Sequence, residues 1–368
     1  MIDEKSFSPE WINSFRLKPE YSHIQTNILE KMIHSLYLVR LLKISGLDFV
    51  FKGGTSLIII LDDDNRFSID VDIICRETRD TLKEVFDRII KNSKFISYSL
   101  DEKRSYGPGV PKAHYIFNYR SVIDPHTDSS ILLDILDEVI VYPDIQECIA
   151  ESKWIKANEP VYIKTPTIDS VTGDKLTAFA PNTIGIPYFK GKIGFGLEIT
   201  KQIYDLGKLF NSVSDFKKVS ESFHSFAQKE IGYRKITDPD IKLTPEKVLW
   251  DIIITCRIIA KRDANKTEPD KTHFRMLQEG IKSFGAAYLI KGKYRLEEAI
   301  TSSAHIAYSA SKILLNDLSP CKVYDGEDVS DLLISDPEWN FLNKLKKLND
   351  KSAFFYWYKA IELLGRLY

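Results

Sequence analysis

The 368-residue sequence is poor in cysteine, with only Cys75, Cys148, Cys256 and Cys321. They stand far apart, so no CxxC spacing exists for a zinc ribbon or a redox dithiol. Small buried apolar side chains in a reducing compartment are the expected reading. Long hydrophobic runs are also missing. Leu57–Leu61 is the densest stretch, well short of the ~18 residues a membrane helix needs. The opening residues, MIDEKSFSPEW, are polar and acidic and lack the apolar core of a signal peptide. A cytoplasmic protein with no membrane partner is expected. Net charge is nearly absent, with 51 Lys and Arg against 52 Asp and Glu. That excludes a histone-like polycation but not a nucleic-acid substrate, which needs only a local basic surface. Internal repeats and low-complexity tracts are lacking too.

What is present is an ordinary globular composition, 43% hydrophobic and 28% charged. The length suits two domains of roughly 150 residues or somewhat more. From Tyr21 to Ser45 the apolar residues Ile24, Ile28, Met32 and Leu36 recur every four positions, which predicts a helix with one buried face and Gly46 just beyond its end. Asp48–Lys52 reads as a short buried strand, and Ser56–Leu61 as the start of a helix. Arg66 to Cys75 alternates, with Ser68, Asp70 and Asp72 on one side and Ile69, Val71 and Ile73 on the other. Thr81–Lys94 has helical spacing, and His114–Tyr119 and Ser130–Leu136 read as two more strands. Beyond about residue 165 helical patterns take over, at Ser170–Ala180, Leu197–Leu209, Glu246–Arg262, Thr272–Leu289, Leu296–Leu315 and Trp339–Leu367. The expected class is α+β. An α/β domain over 1–165, a mixed sheet flanked by helices, precedes a helical domain over 166–368.

The chemistry concentrates in KGGTSL…RFSIDVDII, residues 52–74. Lys52 ends a strand, Gly53 and Gly54 turn it, and Thr55 and Ser56 open a helix. Glycines allow close backbone approach, and a helix N-terminus with free N–H groups favours phosphate. Asp70 and Asp72 follow on the next strand, where alternation sets both carboxylates on one face about 7 Å apart. Two like charges there call for a cation between them. Aspartate is also a poor strand former, and such local conflict tends to mark function. Asp134 interrupts the apolar strand SILLDIL. If that strand neighbours the Asp70/Asp72 strand, three carboxylates converge, enough for two metal ions, and Asp134 is placed to orient an attacking hydroxyl. Asp137 is the fallback ligand. His114, His126, His224, His273 and His305 lack metal-binding spacing and read as structural or surface residues. Trp339, Tyr356, Trp357 and Tyr358 read as core. Lys190 and Lys192 sit in a glycine-rich loop, Pro181–Gly196, and read as exposed; the alternative is contact with an RNA or nucleotide phosphate.

Together these residues resemble the DNA polymerase β-like nucleotidyltransferase superfamily, with its Gly-Gly or Gly-Ser turn, Asp-x-Asp and a later third acid. Within it, KGGTSL and RFSIDVD look like the AbiEii/AbiGii family, the nucleotidyltransferase toxins of abortive-infection and type IV toxin–antitoxin systems. That family carries a lysine near the start of a later helix and an aspartate in a K-x-x-x-D-L stretch. These match Asp174-Lys175-Leu176-Thr177-Ala178 and Lys201-Gln202-Ile203-Tyr204-Asp205-Leu206. The motifs span residues 49 to 206.

The resemblance implies that Asp70, Asp72 and Asp134 bind Mg²⁺ or Mn²⁺ and that Gly53, Gly54, Thr55 and Ser56 hold the NTP triphosphate. Lys52, Arg66 and Ser68 would touch phosphate or brace the turn. Lys175 would neutralise phosphate charge, and Asp205 would be a further active-site aspartate. The activity implied is transfer of a nucleoside monophosphate from an NTP to an acceptor hydroxyl by a bacterial toxin partnered with an antitoxin. A tRNA 3′ end is the first acceptor and a protein hydroxyl the second, with the helical domain choosing between them. A tRNA acceptor would make Lys175, Lys190, Lys192 and Lys201 the candidates for a basic surface. The alternatives are nucleotidyl transfer to a small molecule such as an antibiotic, and a non-catalytic nucleotide- or partner-binding module.

Overall fold

The computed structural model describes residues 2–61, 65–105 and 110–367. The chain forms two compact units. The first holds Met1–Thr167 and Ala287–Gly292, and the second holds Ile168–Ala286 and Lys293–Tyr368. The division falls at 167/168, and the short return of 287–292 to the first unit has no counterpart in a cut near residue 165.

The first unit contains α1 (Pro9–Ser14), α2 (Thr26–Ile44), β1 (Val50–Lys52), α3 (Gly53–Ile60), β2 (Val71–Ile74), α4 (Arg79–Asn92), β3 (Phe95–Leu100), β4 (Lys112–Arg120), β5 (Asp128–Leu136), β6 (Ile145–Ile149) and β7 (Tyr162–Pro166). The strands form one mixed sheet in the order β3-β4-β5-β2-β1-β7-β6. β2 runs antiparallel to β1 and parallel to β5, and β1 runs parallel to β7. The α+β expectation therefore holds. Val71, Ile73, Leu133, Ile135, Tyr115 and Phe117 point into the core with α2 and α4, while Asp72, His114 and Asp134 alternate to the opposite, half-exposed face.

α2 is buried around nearly its whole circumference rather than along one face, because the N-terminal segment covers its other side. The Phe7 ring lies 5.3 Å from His34 and 4.9 Å from Tyr37. Two of the helix's buried charged groups find partners in neighbouring loops, as burial demands. Glu30 accepts from Ser121 Oγ and from the Val122 N–H, both at 2.7 Å. Arg40 donates to the Ala150 carbonyl at 2.8 Å and to that of Glu159.

Three strands lie outside those the alternation predicts. β3 and β6 are the sheet edges, where both faces are partly exposed and apolar alternation fades. β7 meets β1 at a single registered pair, Val50 with Lys164. The strand expected from Arg66 is shortened to Val71–Ile74 because the residues before it bond elsewhere. The Phe67 N–H donates to the Tyr288 carbonyl at 2.8 Å, Arg66 bridges Leu289, and the Asp70 carbonyl accepts from the Thr55 hydroxyl.

The second unit contains α5 (Ile168–Ala178), a two-strand hairpin of β8 (Phe189–Lys190) and β9 (Ile193–Gly194), α6 (Gly196–Phe210), α7 (Phe216–Thr237), α8 (Pro245–Lys261), α9 (Asp270–Ala287), α10 (Leu296–Leu314) and α11 (Ser352–Leu364). α7 is not among the helices predicted above, although Phe216, Val219, Phe223, Ala227 and Ile231 give it a buried stripe at spacings of three and four. It crosses α5 so closely at Gly173 that a β-carbon there would stand 2.4 Å from the Val219 carbonyl oxygen. The single helix expected over Trp339–Leu367 is broken. Asn340–Lys347 is 3₁₀, and Asp350 then accepts from the Ser352 N–H at 3.0 Å and its hydroxyl at 2.6 Å, which starts α11. Trp339, Tyr356 and Trp357 are core residues. All four cysteines are free, and burial pushes the thiols of Cys75 and Cys321 up to about 12. Among the described residues, no helix is long and apolar enough to cross a membrane.

Candidate active site

β1 passes directly into α3 with no residue between them. Gly53 takes a left-handed φ of +77°, and a β-carbon there would fall 2.0 Å from Asp72 Oδ2. Both facts demand glycine. At Gly54 a β-carbon would meet Arg66 Nη2 at 2.5 Å and Ser68 Oγ at 2.9 Å. The two glycines thus let a carboxylate rest on the turn from one side and a guanidinium from the other. Thr55 and Ser56 are fully buried. The Thr55 hydroxyl bonds Ser68 Oγ at 2.8 Å and the Asp70 carbonyl at 2.5 Å, and Ser56 Oγ donates to the Gly53 carbonyl at 2.9 Å. These hydroxyls, with Ser68, brace the turn. What the turn presents to an anion is backbone N–H and the positive end of α3. Arg66, itself buried, is fixed by a 2.9 Å bond from Nη1 to the Phe67 carbonyl.

Strand register builds the rest. Lys52 on β1 pairs with Asp72 on β2, Asp72 pairs with Asp134 on β5, and Asp134 pairs with His114 on β4. Directly paired residues point to the same side of a sheet, and neighbouring strands lie about 4.8 Å apart. The result is a row, His114–Asp134–Asp72–Lys52, with two carboxylates abreast at its centre. Asp134 Oδ1 is 2.6 Å from His114 Nδ1, and its Oδ2 is 4.0 Å from Arg104 Nη2. Asp70 stands one residue before β2, exposed, on the Asp72 side by alternation. Register brings Asp134 rather than Asp137 opposite Asp72. His114, read as a structural or surface residue from sequence spacing, is a neighbour of Asp134 that the spacing did not reveal. Its signal was positional: it alternates to the half-buried face of a strand whose partner carries Asp134.

The later motifs lie in the second unit. Lys175 on α5 and Asp205 on α6 form an ion pair at 2.7 Å, with side-chain exposures of only 7% and 2%. Lys175 also reaches Gln202 Oε1 at 3.2 Å. The two short sequence stretches are therefore one interhelical contact. Lys190 and Lys192 are exposed on the β8–β9 hairpin, whose turn residue Gly191 has a φ of +61°.

The family model described as nucleotidyl transferase AbiEii toxin, type IV toxin–antitoxin system, matches residues 37–281. That range takes in the turn, the carboxylate row and the Lys175–Asp205 pair. The chain belongs to the AbiEii nucleotidyltransferase toxin family. It is accordingly a nucleotidyltransferase toxin of a type IV system, which implies a nucleotide substrate and an antitoxin partner. Among solved structures it is similar to MenT4, a nucleotidyltransferase toxin of Mycobacterium tuberculosis H37Rv. Identity is 16% and the TM-score 0.45, over 72% of this chain and 88% of that one. It is also similar to JHP933 from Helicobacter pylori, at 15% identity and a TM-score of 0.35, over 72% and 98% of the two chains. No curated protein matches the chain.

Nucleotidyltransferases of this kind generally use a divalent metal. The candidate site fits one in its chemistry. Its donors are oxygens, they stand abreast, and Gly53 leaves the space that the Asp72 carboxylate occupies. Among the described residues, no group of three or more His, Cys, Asp or Glu is assembled that could hold an ion. A carboxylate pair completed by substrate phosphates is the usual arrangement for Mg²⁺, which seldom takes an all-protein cage.

Proposed function

We propose that this toxin transfers a nucleoside monophosphate from an NTP to the 3′-terminal hydroxyl of a tRNA, releasing pyrophosphate. The observation that carries the reading is the His114–Asp134–Asp72–Lys52 row lying against the Gly53–Gly54 turn.

In this reading the backbone N–H groups at the start of α3 hold the triphosphate, and the buried Arg66 and the Lys52 ammonium add positive charge beside it. Asp72 and Asp134, with Asp70 beside them, would hold Mg²⁺ or Mn²⁺ together with the substrate phosphates. When bound, the metal would supply positive charge at the reacting phosphate. Asp134 orients the acceptor hydroxyl and receives its proton. His114 fixes the rotation of the Asp134 carboxylate through the 2.6 Å hydrogen bond. Lys175 and Asp205 are carried over from the family's motifs, and each holds the other in a buried ion pair of the second unit. Little covalent work falls to the protein, because transfer at phosphorus is governed by positioning and charge.

The test is incubation with each labelled NTP and Mg²⁺ in the presence of total RNA, protein extract or aminoglycosides. Label in the tRNA fraction, abolished by EDTA, is expected. Label only on protein or on the small molecule overturns the tRNA acceptor, and EDTA-resistant transfer overturns the metal.

A further inference from the structure

A second cluster of charge lies in the first unit, away from the carboxylate row in sequence and unused by the mechanism. Its centre is Tyr21, whose ring is 4% exposed and wedged between Phe15 at 6.4 Å and Trp154 at 5.4 Å. Three ammonium groups from three distant parts of the chain converge on that ring. Lys153 Nζ donates to the Tyr21 hydroxyl at 2.6 Å. Lys291 Nζ lies 5.1 Å from the ring centre and Lys18 Nζ 6.0 Å from it. Lys156 extends the patch, 5.1 Å over the Trp11 ring. Lys18, Lys153 and Lys156 are exposed, and Lys291 is half-exposed.

Like charges converge on one neutral phenol only if something nearby compensates. Burial works to raise the Tyr21 pKa, but the hydrogen bonds from Lys153 and Lys291 outweigh it and leave the phenol below its ordinary value. Glu20 acts on Lys291 as well, and more weakly than the phenol does. Exposed ammonium groups held on a rigid, buried aromatic floor suit the phosphates of a nucleic acid strand. The cluster also connects to the nucleotide turn. Ile290 N–H donates to the Asn65 carbonyl at 2.7 Å, and the next residue, Arg66, bridges Leu289 and lies on Gly54.

We propose that Lys18, Lys153 and Lys291, gathered on Tyr21, form a docking site for the phosphodiester backbone of the acceptor RNA. The proposal rests on the RNA-acceptor reading above and adds the surface that holds the strand. The phenol sets the spacing of Lys153 and Lys291, and the Phe15–Trp154 packing keeps it from moving.

The experiment measures binding of fluorescein-labelled, unfractionated tRNA to the full chain across a range of salt concentrations, with steady-state transfer in parallel. The variant is Lys153→Ala with Lys291→Ala, and the control is Lys153→Arg with Lys291→Arg. Loss of two phosphate contacts lowers the slope of log Kd against log salt by roughly 2 and weakens binding at least about tenfold near 0.1 M salt. KM for RNA rises while KM for the NTP stays fixed, and the arginine control restores both readings. Wild-type affinity and slope in the double alanine variant overturn the docking site and leave the RNA acceptor standing. A rise in the KM for the NTP instead assigns the cluster to the nucleotide and overturns the proposal. A parent chain that neither binds nor labels tRNA overturns both this site and the acceptor it rests on.

Discussion

Each unit places charged side chains against one another, and it does so in opposite ways. In the sheet unit, Asp72 and Asp134 are like charges set side by side on a half-exposed face. In the helical unit, Lys175 and Asp205 are opposite charges almost wholly buried. The first arrangement sets two carboxylates abreast and gains when a cation and phosphates arrive. The second is complete within the fold and becomes costly when either partner is removed. Stability should therefore depend on the second pair far more than on the first.

The strongest test is Asp70→Ala with Asp72→Ala. Transfer should fall about a thousandfold or more, because charge neutralisation at the reacting phosphate is lost. The melting temperature should change little, because Asp70 is exposed and Asp72 half-exposed. A large fall in melting temperature would erase the contrast. Lys175→Ala should instead lower stability, by about 3–5 kcal/mol, because the buried Asp205 loses the ammonium that faces it. Urea titration checks this. Lys175→Met combined with Asp205→Leu should recover most of that loss while leaving transfer defective. Recovery of transfer as well would make the pair purely structural.

Gly53→Ala probes the seam of the carboxylate site. Its backbone lies in the left-handed region and its β-carbon would displace Asp72. A cost of about 1–3 kcal/mol is expected, with a larger proportional loss of transfer than of stability. His114→Ala should lower transfer roughly 10–100-fold, the usual effect of removing a group that orients a metal-binding side chain. His114→Asn, which keeps a donor near Asp134, should retain more of it.

Acid should weaken both units alike. His34 in the first unit and His305 in the second are buried, and burial lowers each to about 4. A folded-state pKa below the unfolded value near 6.5 means that the unfolded chain binds the extra proton. The neutral rings support the fold fully above pH 6.5, and that support fades as pH falls toward 4, by up to about 3 kcal/mol per histidine. A melting temperature flat between pH 6.5 and 4.5 in the parent, or unchanged in its pH slope by His305→Gln, contradicts this.

Much of the candidate site was legible in the sequence because its residues break local rules. Two glycines between a strand and a helix, and aspartates inside apolar strand runs, conflict with propensity, and such conflicts are visible in one dimension. His114 was not legible, because a histidine on a half-buried strand face breaks no rule. Its meaning came from the register that sets it opposite Asp134. The Tyr21 cluster was hidden for the same reason, since Lys18, Lys153 and Lys291 lie on three distant segments. The edge strands β3 and β6 escaped because neither of their faces is consistently buried.

The sequence by itself determined the α+β class, the turn and its carboxylates, and through them the family. Periodicity and local conflict depend only on neighbouring residues. The tertiary structure alone decided which carboxylates stand abreast, that His114 holds Asp134, that Lys175 is sealed against Asp205, and that three lysines meet on one phenol. Those are relations between strands and helices far apart in the chain, fixed by hydrogen-bond register and packing.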